Sequence, residues 1–467
     1  MKSVNTRPSL LPPLALAWGI GLPLSSLGAN LVVTSLADSG SGSLREAIDL
    51  ANADADADVI TFDAAFSGQN ISLTSQLVLS NAVTIDAFGL AGGLGIINPT
   101  STSISSANLR IFEISPNSIV ELNNLRIVGG YVVGIVPPED GGGILARGPG
   151  TLTLNHCTLS LNCTDRNGGA IAVAGSALAL TLNRCTITRN IARSGGGIHI
   201  GGGGTTIINE CTISENGATH EGGGVNGGAV TINNSTIYDN FARFRGGGVR
   251  GANPVRLHNS TLFGNSALHG AGISLLTGSS SMVNNATISG NHAVIEAGGI
   301  FAPGVPMTNS IVAGNTAPTN SNVNFAGSTA NNLIGGDPDL APPGNYGGPT
   351  LTMPPLASSP AIDAGDDSVT NSLATDQRGF PRLAGAHVDI GAVERQVVSA
   401  TNAPVLKLTF TSSPDTDFTM RAATNVALPA GQWDILGPPT QDSPGQYQFT
   451  DLFAPDYPQR FYQVISP

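Results

Sequence analysis

Seven eight-residue segments of this chain align on one another, and their spacing is the strongest constraint on its fold. They are Asn155-His-Cys-Thr-Leu-Ser-Leu-Asn162, Asn183-Arg-Cys-Thr-Ile-Thr-Arg-Asn190, Asn209-Glu-Cys-Thr-Ile-Ser-Glu-Asn216 and Asn233-Asn-Ser-Thr-Ile-Tyr-Asp-Asn240, then His258-Asn-Ser-Thr-Leu-Phe-Gly-Asn265, Asn284-Asn-Ala-Thr-Ile-Ser-Gly-Asn291 and Thr308-Asn-Ser-Ile-Val-Ala-Gly-Asn315. The final Asn recurs at intervals of 28, 26, 24, 25, 26 and 24 residues. In the first six segments, an apolar residue follows a Gly/Ala run eight or nine residues later: Ile171, Ile198, Val225, Val249, Ile273, Ile300. Ile144, after Gly141–Gly143, marks an earlier turn. Helical-pair repeats need a period of about 33 or more, so this one belongs to a β-solenoid. Short β-branched runs broken by Gly and Asn carry no helical periodicity.

The expected fold is all-β: a right-handed parallel β-helix with three strands per coil and about 25 residues per turn. Stacked turns place equivalent residues in columns. Asn suits the recurring corner, because it tolerates left-handed backbone and its amide can bond the Asn above and below. The Gly run marks a bend that Cβ atoms would crowd. The column Cys157, Cys185, Cys211, Ser235, Ser260, Ala286 holds only small residues, as a tight inward stack requires. The three cysteines are therefore expected as buried reduced thiols, with a bridge between neighbouring turns the geometric alternative. Cys163 is the more exposed thiol. No CxxC or clustered His accompanies them, which argues against zinc.

Open solenoid ends must be capped. Ser43-Leu-Arg-Glu-Ala-Ile-Asp-Leu-Ala51 is the chain's one good helix pattern, and it precedes the first expected strands, Val59–Phe62, Ile71–Leu73 and Val83–Ile85. Residues 1–29 read as a signal peptide: Lys2 and Arg7 start it, Leu10 to Leu24 is apolar, and Ala29 is expected as the last residue removed. No other segment approaches about 18 apolar residues, so no membrane span is expected in the mature chain. Net charge is −12 with no Lys/Arg block, which argues against a nucleic-acid partner.

Ser43-Leu-Arg-Glu-Ala-Ile followed by Val59-Ile-Thr-Phe resembles the N-terminal CSLREA region of bacterial surface β-helix proteins, with Gly42 where that motif has Cys. Asn332-Leu-Ile-Gly-Gly-Asp-Pro-Asp339, Gly347-Gly-Pro-Thr-Leu351, Ser359-Pro-Ala-Ile-Asp-Ala-Gly365, and Asp376-Gln-Arg-Gly-Phe-Pro-Arg382 to Asp389-Ile-Gly-Ala-Val-Glu394 resemble the choice-of-anchor Q region. The resemblance implies an exported pectin-lyase-like β-helix, with residues 30–330 forming the capped coil and 331–395 closing it. Residues 404–467 alternate like a small C-terminal β-sandwich: Val405–Phe410, Phe418–Ala423, Trp433–Leu436, Tyr447–Asp451, Arg460–Ile465. That unit resembles C-terminal modules of exported proteins from the Verrucomicrobia and their relatives.

The pectin-lyase-like fold hosts lyases and glycosidases. Neither the calcium carboxylate cluster of pectate lyases nor the paired Asp elements of polygalacturonases are found within the coils, and Asp366-Asp367 lies outside them. Just before each Gly/Ala run stands Asp140, Asn167, Ser194, Glu221, Arg245, His269, Glu296. Stacked, Glu221–Arg245–His269–Glu296 makes a charged ladder, read first as surface polarity that avoids like-charge neighbours. The sharper reading is a sugar-binding or acid/base strip, with Glu221, His269 and Glu296 as catalytic candidates, His220 nearby, and Arg245, His269, Tyr238 and Phe244 as binding candidates. Tyr238, Phe241, Phe244 and Phe263 are expected to cluster, and Trp433, Tyr447 and Tyr457 read as sandwich core before ligand platform. Asp54, Asp56 and Asp58 alternate with Ala and could share Ca²⁺, although a solvated acidic loop is the favoured reading. Two functions of different class follow: a non-catalytic secreted or cell-surface protein for adhesion or polysaccharide contact, which is favoured, and a carbohydrate-active enzyme with an atypical site on the coil face.

Overall fold

The computed structural model describes residues 28–99, 108–134, 139–175, 177–252, 254–276, 280–302, 304–324, 331–396, 406–411, 418–423, 426, 428, 433–443, 445–451 and 460–465. Residues 1–27 of the segment read as a signal peptide, and Tyr457, lie outside them. The β-branched runs form short strands that pair in parallel with their equivalents one turn away, generating sheets of 18, 11 and 7 strands. We call these faces A, B and C. Face A carries two strands per turn, such as Ile144–Arg147 and Gly150–Asn155, which fuse into one strand at Ile198–Asn209 and at Val225–Asn233. Face B carries Thr158–Ser160, Thr186–Thr188 and Thr212–Ser214, and face C carries Cys163–Thr164, Ile191–Ala192 and Gly217–Ala218. The fold is the expected parallel β-helix, with face A divided.

The register is the one the repeat predicts. Ile144, Ile171, Ile198, Val225, Val249, Ile273 and Ile300 pair in sequence and are fully buried. At the B–C corner, Asn162, Asn190, Asn216, Asn240, Asn265, Asn291 and Asn315 form a buried amide ladder. Each Nδ2 donates to the next Oδ1 at 2.9–3.0 Å, and the same Oδ1 accepts the preceding Asn backbone N–H. The left-handed backbone expected of these Asn residues belongs instead to the residue before each, including Leu161, Arg189, Glu215 and Asp239. Turning there lets the Asn side chain point inward. A second amide ladder, Asn155–Asn183–Asn209–Asn233, runs half-buried along the A–B corner.

Cys157, Cys185 and Cys211 are free and buried. Their column works as a second ladder: Cys185 N–H donates to Cys211 Sγ at 3.3 Å, Cys211 N–H to Ser235 Oγ, and Ser235 N–H to Ser260 Oγ. Sulfur and hydroxyl interchange because both accept the same backbone donor. The Gly run lies where turns approach most closely; a Cβ on Gly224 would stand 2.7 Å from the Gly248 carbonyl oxygen.

Helix Leu44–Ala51 caps the first turn, burying Leu44, Ala47, Ile48 and Ala51 on one face, with Ser43 Oγ accepting Glu46 N–H. Leu333–Ile334 adds a last strand to face B. Beyond it the chain turns back. Residues 331–395 were expected to close the coil's end; of these, 339–394 form a strap lying along face B. The strap buries Thr236, Thr261 and Thr287, whose equivalents Thr158, Thr186 and Thr212 stay half-exposed. Thr261 donates to Gln377 Oε1 at 2.6 Å, Gln377 Nε2 donates to Thr236 Oγ1 at 2.9 Å, and Ala392 N–H donates to Thr287 Oγ1 at 3.0 Å. Hydroxyls on a flat strand face need such partners once covered.

The strap holds itself together through Asp376, Arg378, Arg382, Asp389 and Glu394, all buried. Arg378 pairs with Asp376 at 2.9 Å, and Arg382 donates to Asn259 Oδ1 at 2.6 Å. Three carboxyls against two guanidiniums leave one acid in excess. Burial, with the Asp389 carboxylate beside it, pushes Glu394 up to about 8, and burial pushes Asp389 up to about 6. After it, two antiparallel three-stranded sheets form the C-terminal unit: Leu406–Thr411 with Gln446–Asp451 and Thr440–Ser443, and Thr419–Ala423 with Asp434–Gly437 and Phe461–Ile465. Among the described residues no helix is long and apolar enough to cross a membrane.

Two outcomes follow from these contacts. Asn216→Ala removes four inner-ladder hydrogen bonds and is expected to cost about 3 kcal/mol or more, whereas Asn183→Ala on the half-exposed ladder costs about 1 kcal/mol or less, read from urea midpoints. Glu394 binds its proton more tightly folded than unfolded, so its contribution is complete at low pH and is lost as pH rises from its ordinary range through about 8. The melting temperature should therefore fall between pH 5 and 9, and Glu394→Gln should remove most of that slope above pH 6.

Candidate functional site

The Gly runs at the C–A edge are themselves buried, and the residues flanking them form two columns, one on each side of a strip we call the channel. One flank is the ladder read from the sequence. Asn167 bridges Ser194, Glu221 bridges Arg245, Arg245 bridges His269, and His269 pairs with Glu296. The other flank lies one residue beyond each buried Ile or Val: His199, Asn226, Arg250, Ser274 and Phe301 pair turn by turn. Strand alternation turns them outward, toward the first flank.

Contacts cross the channel. Arg250 Nε lies 3.0 Å from Glu221 Oε2. The His269 ring meets Phe301 edge-on at 5.7 Å between centroids, and the Arg245 guanidinium lies 5.8 Å from the same ring. One turn back, Phe244 is 37% exposed, meets His220 edge-on at 5.0 Å, and has Arg243 over it at 5.4 Å. Two aromatic rings, one exposed and one half-buried, are thus flanked by cationic and polar groups.

Several polar atoms in this channel have no protein partner. His269 Nδ1 makes no hydrogen bond and lies 4.0 Å from Glu296 Oε2, while Glu296 Oε1 accepts Asn320 Nδ2 at 2.8 Å. Asn226 is 6% exposed; its Nδ2 meets His199 Nδ1 at 3.1 Å, and its Oδ1 is unpartnered. Burial holds His199 below the ordinary histidine range, with Asp140 opposing the shift and Arg250 adding to it.

The other sequence candidates go elsewhere. Tyr238 and Phe263 stack on each other at 4.8 Å on face B, and Phe241 is exposed on face C, so the four aromatics form no single cluster. Tyr447 is buried in the C-terminal unit, stacked on Phe410, and Trp433 Nε1 donates to Leu428 O. Asp54, Asp56 and Asp58 do not converge: Asp54 Oδ1 accepts Asp56 N–H, and Asp58 Oδ1 accepts Ala29 N–H. Among the described residues no three His, Cys, Asp or Glu side chains gather as a metal cluster would. The second flank was missed because its residues share no type. The step after each inward Ile or Val was the signal that could have found it.

The right-handed beta helix region family matches residues 142–336. Among solved structures, the crystal structure of pectate lyase Pel9A is similar, with a TM-score of 0.41 and 14% identity over 79% of this chain and 97% of that one. No curated protein matches the chain.

The channel electrostatics can be read directly. The His199 ring should titrate below about 6.5 by NMR, and Arg250→Gln should move its midpoint upward.

Proposed function

We propose that this is a secreted or outer cell-surface, non-catalytic β-helix that holds an extracellular polysaccharide or another cell-surface component along its C–A channel. The observation that carries this reading is the pair of rings, exposed Phe244 and half-buried Phe301, each beside an arginine and a histidine. Apolar ring faces beside fixed polar groups suit a sugar, which presents C–H faces and hydroxyls together. The polar side chains beside these rings, Arg243, Arg245 and His220, supply charged and hydrogen-bonding groups for such hydroxyls. The resemblance of residues 43–62 and 332–394 to surface β-helix regions supports export and surface location.

The acids argue for binding over hydrolysis. Glu221 and Glu296 stand three turns apart, roughly 14 Å at strand spacing, beyond the roughly 5–9.5 Å that separates paired glycosidase carboxyls. Glu221 is moreover held by Arg250. One arrangement favours the enzymatic alternative, a polysaccharide lyase or glycoside hydrolase: His269 Nδ1 lies 4.0 Å from Glu296 Oε2, an imidazole beside a carboxylate of the kind general acid–base chemistry uses.

A polysaccharide panel, run with and without Ca²⁺, tests both. Retention without cleavage is expected, and Phe301→Ala and Arg245→Ala should each weaken it about tenfold. New reducing ends or unsaturated products that vanish in His269→Ala or Glu221→Ala would overturn the non-catalytic reading.

A further inference from the structure

The first strand of the coil, Asn30–Val33, pairs in parallel with residues 59–62, and Val59 N–H donates to the Ala29 carbonyl at 2.9 Å. The ordered ladder therefore begins at Ala29. Beside it, Asp58 is 3% exposed and makes no ion pair with any described side chain. Its recorded hydrogen bond comes from Ala29 N–H, at 2.5 Å. A buried carboxylate facing a single neutral amide is costly; buried charges are kept where a counter-charge meets them. The group already in contact becomes that counter-charge if the chain starts there.

We propose that a signal peptidase hydrolyses the Gly28–Ala29 bond and that the freed α-ammonium of Ala29 forms a buried ion pair with Asp58. Water's oxygen adds to the Gly28 carbonyl carbon, the C–N bond breaks, and the amine leaves protonated. The inference rests on the reading of the chain as exported. It moves the cut one residue from the one expected after Ala29. Removing Ala29 would strip Asp58 of its donor and Val59 N–H of its acceptor. The sequence fits the new position, with small residues Ser26 and Gly28 third and first before the bond. Gly28 is tightly confined: a Cβ there would stand 1.8 Å from the Ala57 carbonyl oxygen.

The test is to secrete the full chain from a bacterial host and determine its N-terminus by sequencing and intact mass. A chain beginning at Ala29 is expected. An exported chain beginning at Asn30 or elsewhere overturns this inference alone, whereas an uncut, retained chain overturns the exported reading with it. The pairing is read separately on protein beginning at Ala29, made with an initiator Met that is removed before Ala. Its α-amine should acylate at pH 8 about tenfold more slowly than that of an unstructured peptide, because the pair holds the proton above the ordinary range near 8. Asp58→Asn should restore the ordinary rate. A Gly-Ser extension ahead of Ala29 should lower the melting temperature with Asp58 present and change it little with Asp58→Asn. An ordinary acylation rate in the unaltered protein would overturn the pairing.

Discussion

The buried amide ladder at the B–C corner is the contact on which the coil depends. Each carboxamide oxygen takes two N–H donors from the turn before, and each amide nitrogen gives to the turn after and to a backbone carbonyl such as Leu159 O or Ile187 O. A solenoid is stabilised between neighbouring turns, so a corner group that satisfies both neighbours fixes spacing and rotation together. The Cys/Ser ladder applies the same logic at the start of face B, with a side-chain acceptor for a backbone donor that strand pairing leaves over. With two corners fixed in this way, the C–A edge is free to be made of glycine, and its flanking residues are free to vary.

The strap's buried charged residues serve to hold the fold together. Asp376, Gln377, Arg378, Arg382, Asp389 and Glu394 all make buried contacts, with one another, with strap backbone, or with Asn259 and the threonines of the coil. These groups fasten a return segment to the coil. Their excess acid ties that fastening to pH.

Much of the fold was legible because its columns are chemically uniform. The Asn, Ile/Val and Cys/Ser positions announce the period, and stacking then dictates which residues neighbour which, so the Glu221–Arg245–His269–Glu296 ladder followed from counting. The path of the strap was not legible. It hangs on single contacts such as Thr261 with Gln377, 116 residues apart, which no local pattern marks. The far flank of the channel was hidden for a related reason: His199, Asn226, Arg250 and Phe301 align in space but not in kind. Asp58 looked like part of an acidic loop because its partner is a backbone nitrogen, invisible to any search for matching side chains.

The position of the strap has a consequence for how the coil faces its surroundings. In a three-sided prism, the edge between two faces is the part most remote from the third. The strap occupies face B, and the C-terminal unit meets it there, where Asp434–Leu436 and Arg460 line a recess with Pro342–Tyr346. The strap and the C-terminal unit therefore lie on the side of the coil opposite the C–A edge. The channel then looks outward along its whole length, as the working edge of a blade looks away from its handle.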